Sequence, residues 1–312
     1  MEKSTVLVLL ATYNGENYIR TMVDSVLAQD HPDIRVILSD DNSTDSSPSI
    51  LEEYAARYPD RVTHYRSGLR FGCAQKHFMH LLANFHDAPY IMFCDQDDYW
   101  HPDKVRKTLE TMKRVERERD VPALVHTDLR VVDRELREIS PSFWAHSDLD
   151  GSRLALNQLL VQNVVTGCTM MINRALAELA CRDIPEDAML MHDWWLALLA
   201  SVSGQTGFLK EATIDYRQHG NNSVGAKNVR SASYLWQRLR SKKMRQSLAD
   251  GARQAQAFLD CYGDLMTGEQ RELTAAFAST RDAGLLRRDR TYLKYNLLKH
   301  GAVRVTAQLL GW

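Results

Sequence analysis

Four times in its first 115 residues the chain passes from a short apolar run to a helical pattern: Val6–Ala11 then Tyr18–Leu27, Val36–Ser39 then Ile50–Tyr58, Val62–Tyr65 then Phe78–Phe85, and Tyr90–Cys94 then Val105–Val115. Strands separated by helices pair in parallel, because each helix returns the chain to the same end of the sheet. The pattern predicts an α/β domain with a mostly parallel central sheet flanked by helices. In such sheets ligands bind beyond the carboxyl ends of the strands, where the strand order reverses.

Three of those ends carry unusual chemistry. The first strand runs into Ala11-Thr12-Tyr13-Asn14-Gly15-Glu16, the second into Ser39-Asp40-Asp41-Asn42-Ser43-Thr44-Asp45, and the fourth into Asp95-Gln96-Asp97-Asp98-Tyr99-Trp100-His101-Pro102. The last puts three carboxylates into one turn, and like charges that close repel unless a cation or ligand compensates them. A hard divalent ion such as Mg²⁺ suits such a turn, since it binds one or two carboxylates together with substrate phosphates. Each segment also has a purely structural reading. Asn14-Gly15 is a turn dipeptide and Asn14 a cap for a helix beginning near Glu16; Asp45 or Ser46 caps the next helix; an acidic turn can simply be solvated. Three polar strand ends on one sheet edge are harder to dismiss than any one alone, since a nucleotide would lie along that edge.

Composition sets the remaining bounds. At 312 residues, with 44% apolar and 25% charged residues, the chain suits one large soluble domain or a domain with an appended module. No apolar run approaches a membrane span, and Val6–Ala11, with no basic segment before it, reads as a first strand and not a secretion signal. Cys73, Cys94, Cys168, Cys181 and Cys261 form no CxxC pair, which indicates neither a zinc site nor a disulfide framework and fits a reducing cytoplasm. The net charge of -1 hides an asymmetry: 16 Lys and Arg stand against 7 Asp and Glu from Asn221 onward, and 23 against 33 before it. The basic part reads as helices over Tyr234–Met244, Ala252–Tyr262, Glu269–Leu286 and Thr291–Leu310. Residues 226–312 are therefore expected to form a basic helical C-terminal extension of a domain spanning 1–225. Its last helix mixes Tyr292, Leu293, Tyr295, Leu297 and Leu298 with Arg and Lys, a pattern that fits an anionic membrane surface or packing against the first domain or another subunit.

Six stretches resemble family 2 glycosyltransferases of the GT-A fold, in their bacterial rhamnosyltransferase-like branch. They are Leu10–Glu16, Ser39–Asp45, Phe93–Trp100 with Pro102, Thr166-Gly167-Cys168, His192-Asp193-Trp194-Trp195 and Tyr216–Gly225, which follow one another in that family's order and spacing. The resemblance implies a nucleotide-diphospho-sugar transferase fold and an inverting, metal-dependent transfer. The expected donor is dTDP-L-rhamnose, with UDP-glucose, UDP-galactose or an N-acetylated hexosamine nucleotide as the alternative. The expected acceptor is a growing bacterial surface polysaccharide or a lipid-linked glycan, with no nucleic acid involved. Such an enzyme works in the cytoplasm, and on the inner face of the plasma membrane if the basic helices bind lipid.

The same resemblance distributes roles. Thr12, Tyr13, Asn14 and Glu16 line the nucleotide pocket, Asp40 accepts the ring N–H of the pyrimidine, and Asp95 holds the ribose side. Asp97 binds a divalent cation, Mn²⁺ or Mg²⁺, that bridges the diphosphate, and His219 approaches the same metal, imidazole suiting Mn²⁺ better. Asp98 contacts the donor sugar or orients its neighbours. Asp193 is the base that takes the acceptor hydroxyl's proton, at the start of a helix it can also cap. His192 replaces an acidic residue of many relatives and is either structural or an assistant to that base. Gly167 permits close backbone approach to a sugar, and Arg217 faces the diphosphate. Trp100, Trp144, Trp194 and Trp195 are stacking candidates, of which one or two should touch ligand. His77 stands where many relatives have Asn, which puts a donor-sugar contact from that helix in question.

Two other classes fit parts of the pattern. Haloacid dehalogenase-type phosphotransferases place an Asp-x-Asp after a parallel strand, but Thr normally follows soon, and here Tyr99-Trp100 do. A non-catalytic nucleotide-sugar-binding protein would need the pocket but has no use for Asp193.

Overall fold

The structure is a computed structural model of the chain and describes residues 4–117, 121–185, 187–219 and 243–310. Its strands are β1 (Val6–Thr12), β2 (Ile34–Asp40), β3 (Val62–Tyr65), β4 (Tyr90–Cys94), β5 (Tyr99–Trp100), β6 (Ala123–Val132), β7 (Glu138–Ser140), β8 (Met171–Asn173) and β9 (Gln205–Arg217). They form one sheet in the order β3-β2-β1-β4-β8-β6-β9-β5, with β7 paired to β6. Helices α1 (Ile19–Leu27), α2 (Ser47–Arg57), α3 (Ala74–Asn84) and α4 (Lys104–Glu116) belong to the first half. Then come α5 (Phe143–His146), α6 (Leu156–Val161), α7 (Arg174–Ala180) and α8 (His192–Ser203), and finally α9 (Lys243–Tyr262), α10 (Gly268–Ala278), α11 (Leu285–Lys294) and α12 (Ala302–Leu309).

The first four strands are parallel, with Val8 opposite Val36 on one side and Met92 on the other. Beyond β4 the sheet is mixed: β8 runs antiparallel to β4 and β6, β9 parallel to β6, and β5 antiparallel to β9. The strand–helix alternation stops after residue 115, and a turn as short as 133–137 between β6 and β7 can join only antiparallel strands. The order reverses at β1, which lies between β2 and β4. The loops after β1 and β4 therefore face each other across the switch point.

Alternation along β1 builds two core layers. Val6, Val8 and Leu10 meet Ile19, Met22, Val23 and Val26, which recur at helical spacing on α1, while Leu7 and Leu9 face the layer that holds α3 and α8. The C-terminal helices enter that second layer. Phe258 and Tyr262 of α9 pack on Trp195, with the Trp195 and Phe258 rings 5.2 Å apart, and Phe277, Tyr292 and Leu297 share the same core. The helix expected over Thr291–Leu310 is two, interrupted by Asn296 (φ 50°) and Gly301 (φ 85°), and that over Glu269–Leu286 is interrupted after Ala278. Most of the helix read over Tyr234–Met244, and the end of the last motif at Gly220–Gly225, lie outside the described residues. Among the described residues no helix is long and apolar enough to cross a membrane.

Candidate active site

The loops after β1 and β2 are stapled to each other. Asn14, at φ 50°, accepts the Thr44 N–H through Oδ1 (2.9 Å), Glu16 Oε2 accepts the Ser46 N–H (3.0 Å), and Asp45 Oδ2 accepts the Glu16 N–H (3.0 Å). Asp40 takes the backbone N–H of Ser43 at 2.7 Å and also its hydroxyl. Glu16 and Asp40 were expected in the pocket, but both are committed to holding these loops and neither lines it. The next residue, Asp41, does line it, with its carboxylate accepting the N–H groups of Phe71 and Gly72.

A cavity of about 930 Å³ opens at the switch point. Thr12, Tyr13, Asn14, Asp95 and Asp97, from the ends of β1 and β4 and the loops after them, line it together with Gly167, Asp193, Trp194 and His219. Gln96 locks the two strand ends together: its Oε1 accepts the Thr12 hydroxyl (2.5 Å) and the Tyr13 N–H (2.7 Å), while its Nε2 donates to the Tyr13 carbonyl (3.1 Å). At the cavity wall His219 Nε2 and Asp97 Oδ2 lie 2.6 Å apart, and the imidazole stacks on Tyr18 with ring centres 5.1 Å apart.

Burial and mutual repulsion make this an electrostatically loaded turn. Burial, then the charges of Asp97 and Asp193, push the Asp95 carboxyl up to about 7. Asp98 is raised well above the carboxylate range by burial and by Asp97 and Asp95. An added cation would relieve that repulsion, and a carboxylate oxygen with an imidazole nitrogen is a donor set that fits Mn²⁺. Asp95, Asp98 and Cys168 also bring potential ligand atoms within 4.8 Å of one another. Asp98 and Cys168 are buried away from the cavity, so a cation among these three could not also bind a diphosphate; Asp97 and His219 stand where one could enter.

Asp193 lies in the first turn of α8, which begins at His192 with Met191 as its cap. Its Oδ1 accepts from Asn163 Nδ2 (3.0 Å) and from the Trp194 N–H (2.6 Å), and its Oδ2 accepts the Gly167 N–H (2.9 Å). Burial raises this carboxyl to about 6 against the pull of those three donors. His192 sits beneath it between Phe78 and Phe93, ring centres 4.6 and 5.3 Å away, and burial lowers it to about 3.

Four further expected contacts are corrected by the structure. Trp100 is fully buried with the Lys104 ammonium 4.9 Å from its ring centre, because β5 turns that face toward α1 and α4. Trp195 points into the core against α9, and Trp194 alone of the four tryptophans reaches the cavity, its Nε1 donating to the Leu159 carbonyl; Trp144 packs near His126 and Phe208. Asp98 is fully buried and accepts the Arg217 N–H (3.1 Å). Arg217 does not line the cavity: its Nε donates to the Asp97 carbonyl (2.7 Å), its Nη1 to the Arg134 carbonyl, and its guanidinium covers Tyr18. It shapes the acidic turn from behind.

Sequence reasoning missed Asp41, Gln96, Arg134, Asn163 and Tyr18. Gln96 and Asp41 sit inside the motifs and could have been found there. Asn163 and Arg134 come from loops with no local pattern, and only the fold brings them to the cavity.

The family model for glycosyl transferase family 2 matches residues 7–179. The dTDP-rhamnosyl transferase RfbG of Shigella flexneri is 29% identical over 260 residues, covering 77% of this chain and 85% of that protein. Among solved structures, S. aureus TarS 1-349 in complex with UDP-GlcNAc aligns with a TM-score of 0.56 at 15% identity, covering 98% of this chain and 90% of that one. The mannosyltransferase PcManGT of Pyrobaculum calidifontis, in complex with GDP-Man and Mn²⁺, aligns with a TM-score of 0.53 at 17% identity, covering 98% and 85%. At those identities the likeness to the solved structures is one of fold.

Proposed function

Because the chain belongs to glycosyl transferase family 2, we propose that it is an inverting, metal-dependent transferase that moves L-rhamnose from dTDP-L-rhamnose onto a bacterial surface polysaccharide or its lipid-linked precursor. The observation that carries this reading is one cavity lined both by the Asp97–His219 pair and by the buried Asp193 carboxylate. The rhamnose donor is supported by the similarity to RfbG.

The chemistry follows from those positions. A divalent cation held by Asp97 and His219 would neutralise the diphosphate and make it a competent leaving group. Asp193 takes the proton of the acceptor hydroxyl as its oxygen attacks the anomeric carbon from the face opposite the diphosphate. The anomeric C–O bond breaks with its electrons going to the nucleoside diphosphate, and the configuration inverts. Asn163 and the Gly167 N–H fix the carboxylate, so that one orientation is presented to the hydroxyl. Trp194 offers an apolar ring face to a sugar.

A UDP-hexose donor is the second reading, since uracil and thymine share the ring N–H that a carboxylate reads and differ by a methyl group on another edge. Asp41, which unlike Asp40 lines the cavity, takes over the base-reading role expected of its neighbour. Residues 226–312 are an extension that also touches membrane. What supports this is the outer face of α11, where Leu286 (77% exposed) and Leu293 (60% exposed) stand beside exposed Arg287 and Arg290. Flotation with phosphatidylglycerol vesicles tests it, and no binding at low salt sinks it.

The deciding experiment follows hydrolysis of dTDP-rhamnose, UDP-glucose, UDP-galactose and UDP-N-acetylglucosamine with Mn²⁺ or Mg²⁺. dTDP-rhamnose should be turned over fastest and Asp193→Asn should abolish turnover. Equal or faster use of a UDP-hexose removes the rhamnose assignment, and turnover of none removes the transferase reading.

A further inference from the structure

The β6–β7 turn carries one arginine whose charge the fold leaves unused. Arg130 is committed to Asp215, with Nε to Oδ1 at 2.7 Å, and also faces Glu138. Arg137 is committed to Asp133 (2.7 Å) and Glu135 (3.0 Å). Arg134, between them, is exposed and lines the cavity, and among the described residues its guanidinium has neither a carboxylate nor a hydrogen-bond acceptor. A solvated arginine on a hairpin is ordinary; one aimed into a cavity whose wall carries Asp97 and His219 is not.

Its backbone is tied to that of Asp97 by a second arginine. Arg217 donates from Nε to the Asp97 carbonyl (2.7 Å) and from Nη1 to the Arg134 carbonyl, so two nitrogens of one guanidinium hold the two backbones together. Arg217 is itself 5% exposed and rests on Tyr18, 4.9 Å from the ring centre. The linkage therefore joins the acidic turn and the β6–β7 turn through a buried, planar group. Arg134 and Asp97, so linked through their backbones, line the same cavity.

We propose that Arg134 is the protein's own cation for the diphosphate of the donor, forking onto phosphate oxygens as the anomeric C–O bond breaks and negative charge builds on the leaving group. This rests on the transferase reading above. A guanidinium suits the task because it stays charged at any working pH and presents parallel N–H groups matched to phosphate oxygens. The wall then meets the leaving group with charge from two directions, the metal pair on one and Arg134 on the other. The ligand class is a nucleoside diphosphate, and the contact is to its phosphates and not to its base.

Calorimetric titration of the wild-type protein, Arg134→Gln and Arg134→Lys with dTDP and UDP, and with dTMP and UMP, all in Mn²⁺, separates the possibilities. Arg134→Gln should weaken diphosphate binding by about tenfold or more while monophosphate binding changes by less than about twofold. Arg134→Lys should recover part of the loss, and the salt dependence of diphosphate binding should flatten in the Gln variant alone. For donor hydrolysis, kcat should fall further than donor KM rises. Mn²⁺ binding without nucleotide and the melting temperature should stay unchanged, since the side chain is exposed. Equal losses for mono- and diphosphates, or no loss, overturn the assignment. A wild-type protein that binds neither diphosphate overturns instead the transferase reading beneath it.

Discussion

His219 Nε2 stands 2.6 Å from Asp97 Oδ2 across 122 residues of chain, on the wall of the cavity and with its ring stacked on Tyr18. A carboxylate and an imidazole held this close share one proton or one cation. If they share a cation, Asp97→Asn should abolish Mn²⁺ binding measured by electron paramagnetic resonance, and His219→Gln should weaken it by at least roughly 10-fold, since even the partners behind a ligand typically count for that much. Mg²⁺ binding should suffer less from the histidine change, because imidazole is the softer ligand. Unchanged Mn²⁺ affinity in both variants would mean that the pair is only a hydrogen bond.

Asp193 gives the pH dependence of turnover. As a base it has to be ionised, and burial has raised it to about 6. kcat/KM, which reports the free protein, should therefore fall about tenfold per pH unit below that value and level off above it. Its effect on stability runs the same way as the cost of burying charge. The native pKa lies above the unfolded one, so the native state holds the proton more tightly, and stability falls as pH rises from about 4 through about 6, by up to ~3 kcal/mol. Asp193→Asn should remove the acid limb of the rate profile together with the rate, leave nucleotide affinity intact, and show less of that pH-dependent loss. An Asn variant with full turnover would remove Asp193 from the chemistry.

How much of this was legible beforehand can be traced to particular residues. The parallel half of the sheet, and the nearness of Asp97, Asp193 and His219, could be expected because each stands in a motif with its own spacing. Asp40 and Asp41 could not be told apart, since the choice is made by the turn at Asn42 (φ 58°), which commits the first to Ser43 and leaves the second on the cavity wall. Trp100 follows the acidic turn directly, but β5 pairs with β9 at Trp100–Ile214 and turns the indole into the core. Pairing partners a hundred residues away decide which face of a strand is wet. Arg134 and Asn163 had no signal at all, because each matters only through what the sheet places opposite it.

Three histidines are buried and held neutral: His77 and His126 each lowered to about 4 and His192 to about 3, burial being the main cause for all three. The unfolded value is near 6.5, so the native state costs nothing extra above that pH. As pH falls below it, each protonates in the unfolded chain first, and each removes about 1.4 kcal/mol of stability per pH unit until its native pKa is reached. These losses run against the gain from Asp95 and Asp193, whose raised carboxyls take up protons in the native state first over the same range, so one histidine is isolated by comparing the pH dependence of the urea midpoint between the wild type and its variant from pH 6.5 to 4.5. His77→Asn, whose amide can still reach toward the Ser39 hydroxyl that His77 Nε2 meets at 2.8 Å, should lose one proton's worth of acid destabilisation relative to the wild type. An unchanged slope would mean that His77 is protonated in the native state as well.

Gly167 is where packing and the proposed base meet most closely. A Cβ added there would stand 2.7 Å from His192 Nε2 and 3.7 Å from Asp193 Oδ2, well inside contact distance for the first. His192 has little room to retreat, being 3% exposed and wedged between Phe78 and Phe93. Gly167→Ala should therefore cost about 1–3 kcal/mol, the usual range for overpacking. It should also lower kcat, because the Gly167 N–H that orients Asp193 moves with the backbone. Shortening the obstacle separates the two effects: in Gly167→Ala combined with His192→Ala the clash is gone, so the double variant should regain a large part of the lost kcat relative to Gly167→Ala alone. If the second substitution restores nothing, the glycine is required by the substrate side of the cavity and not by the imidazole beneath it.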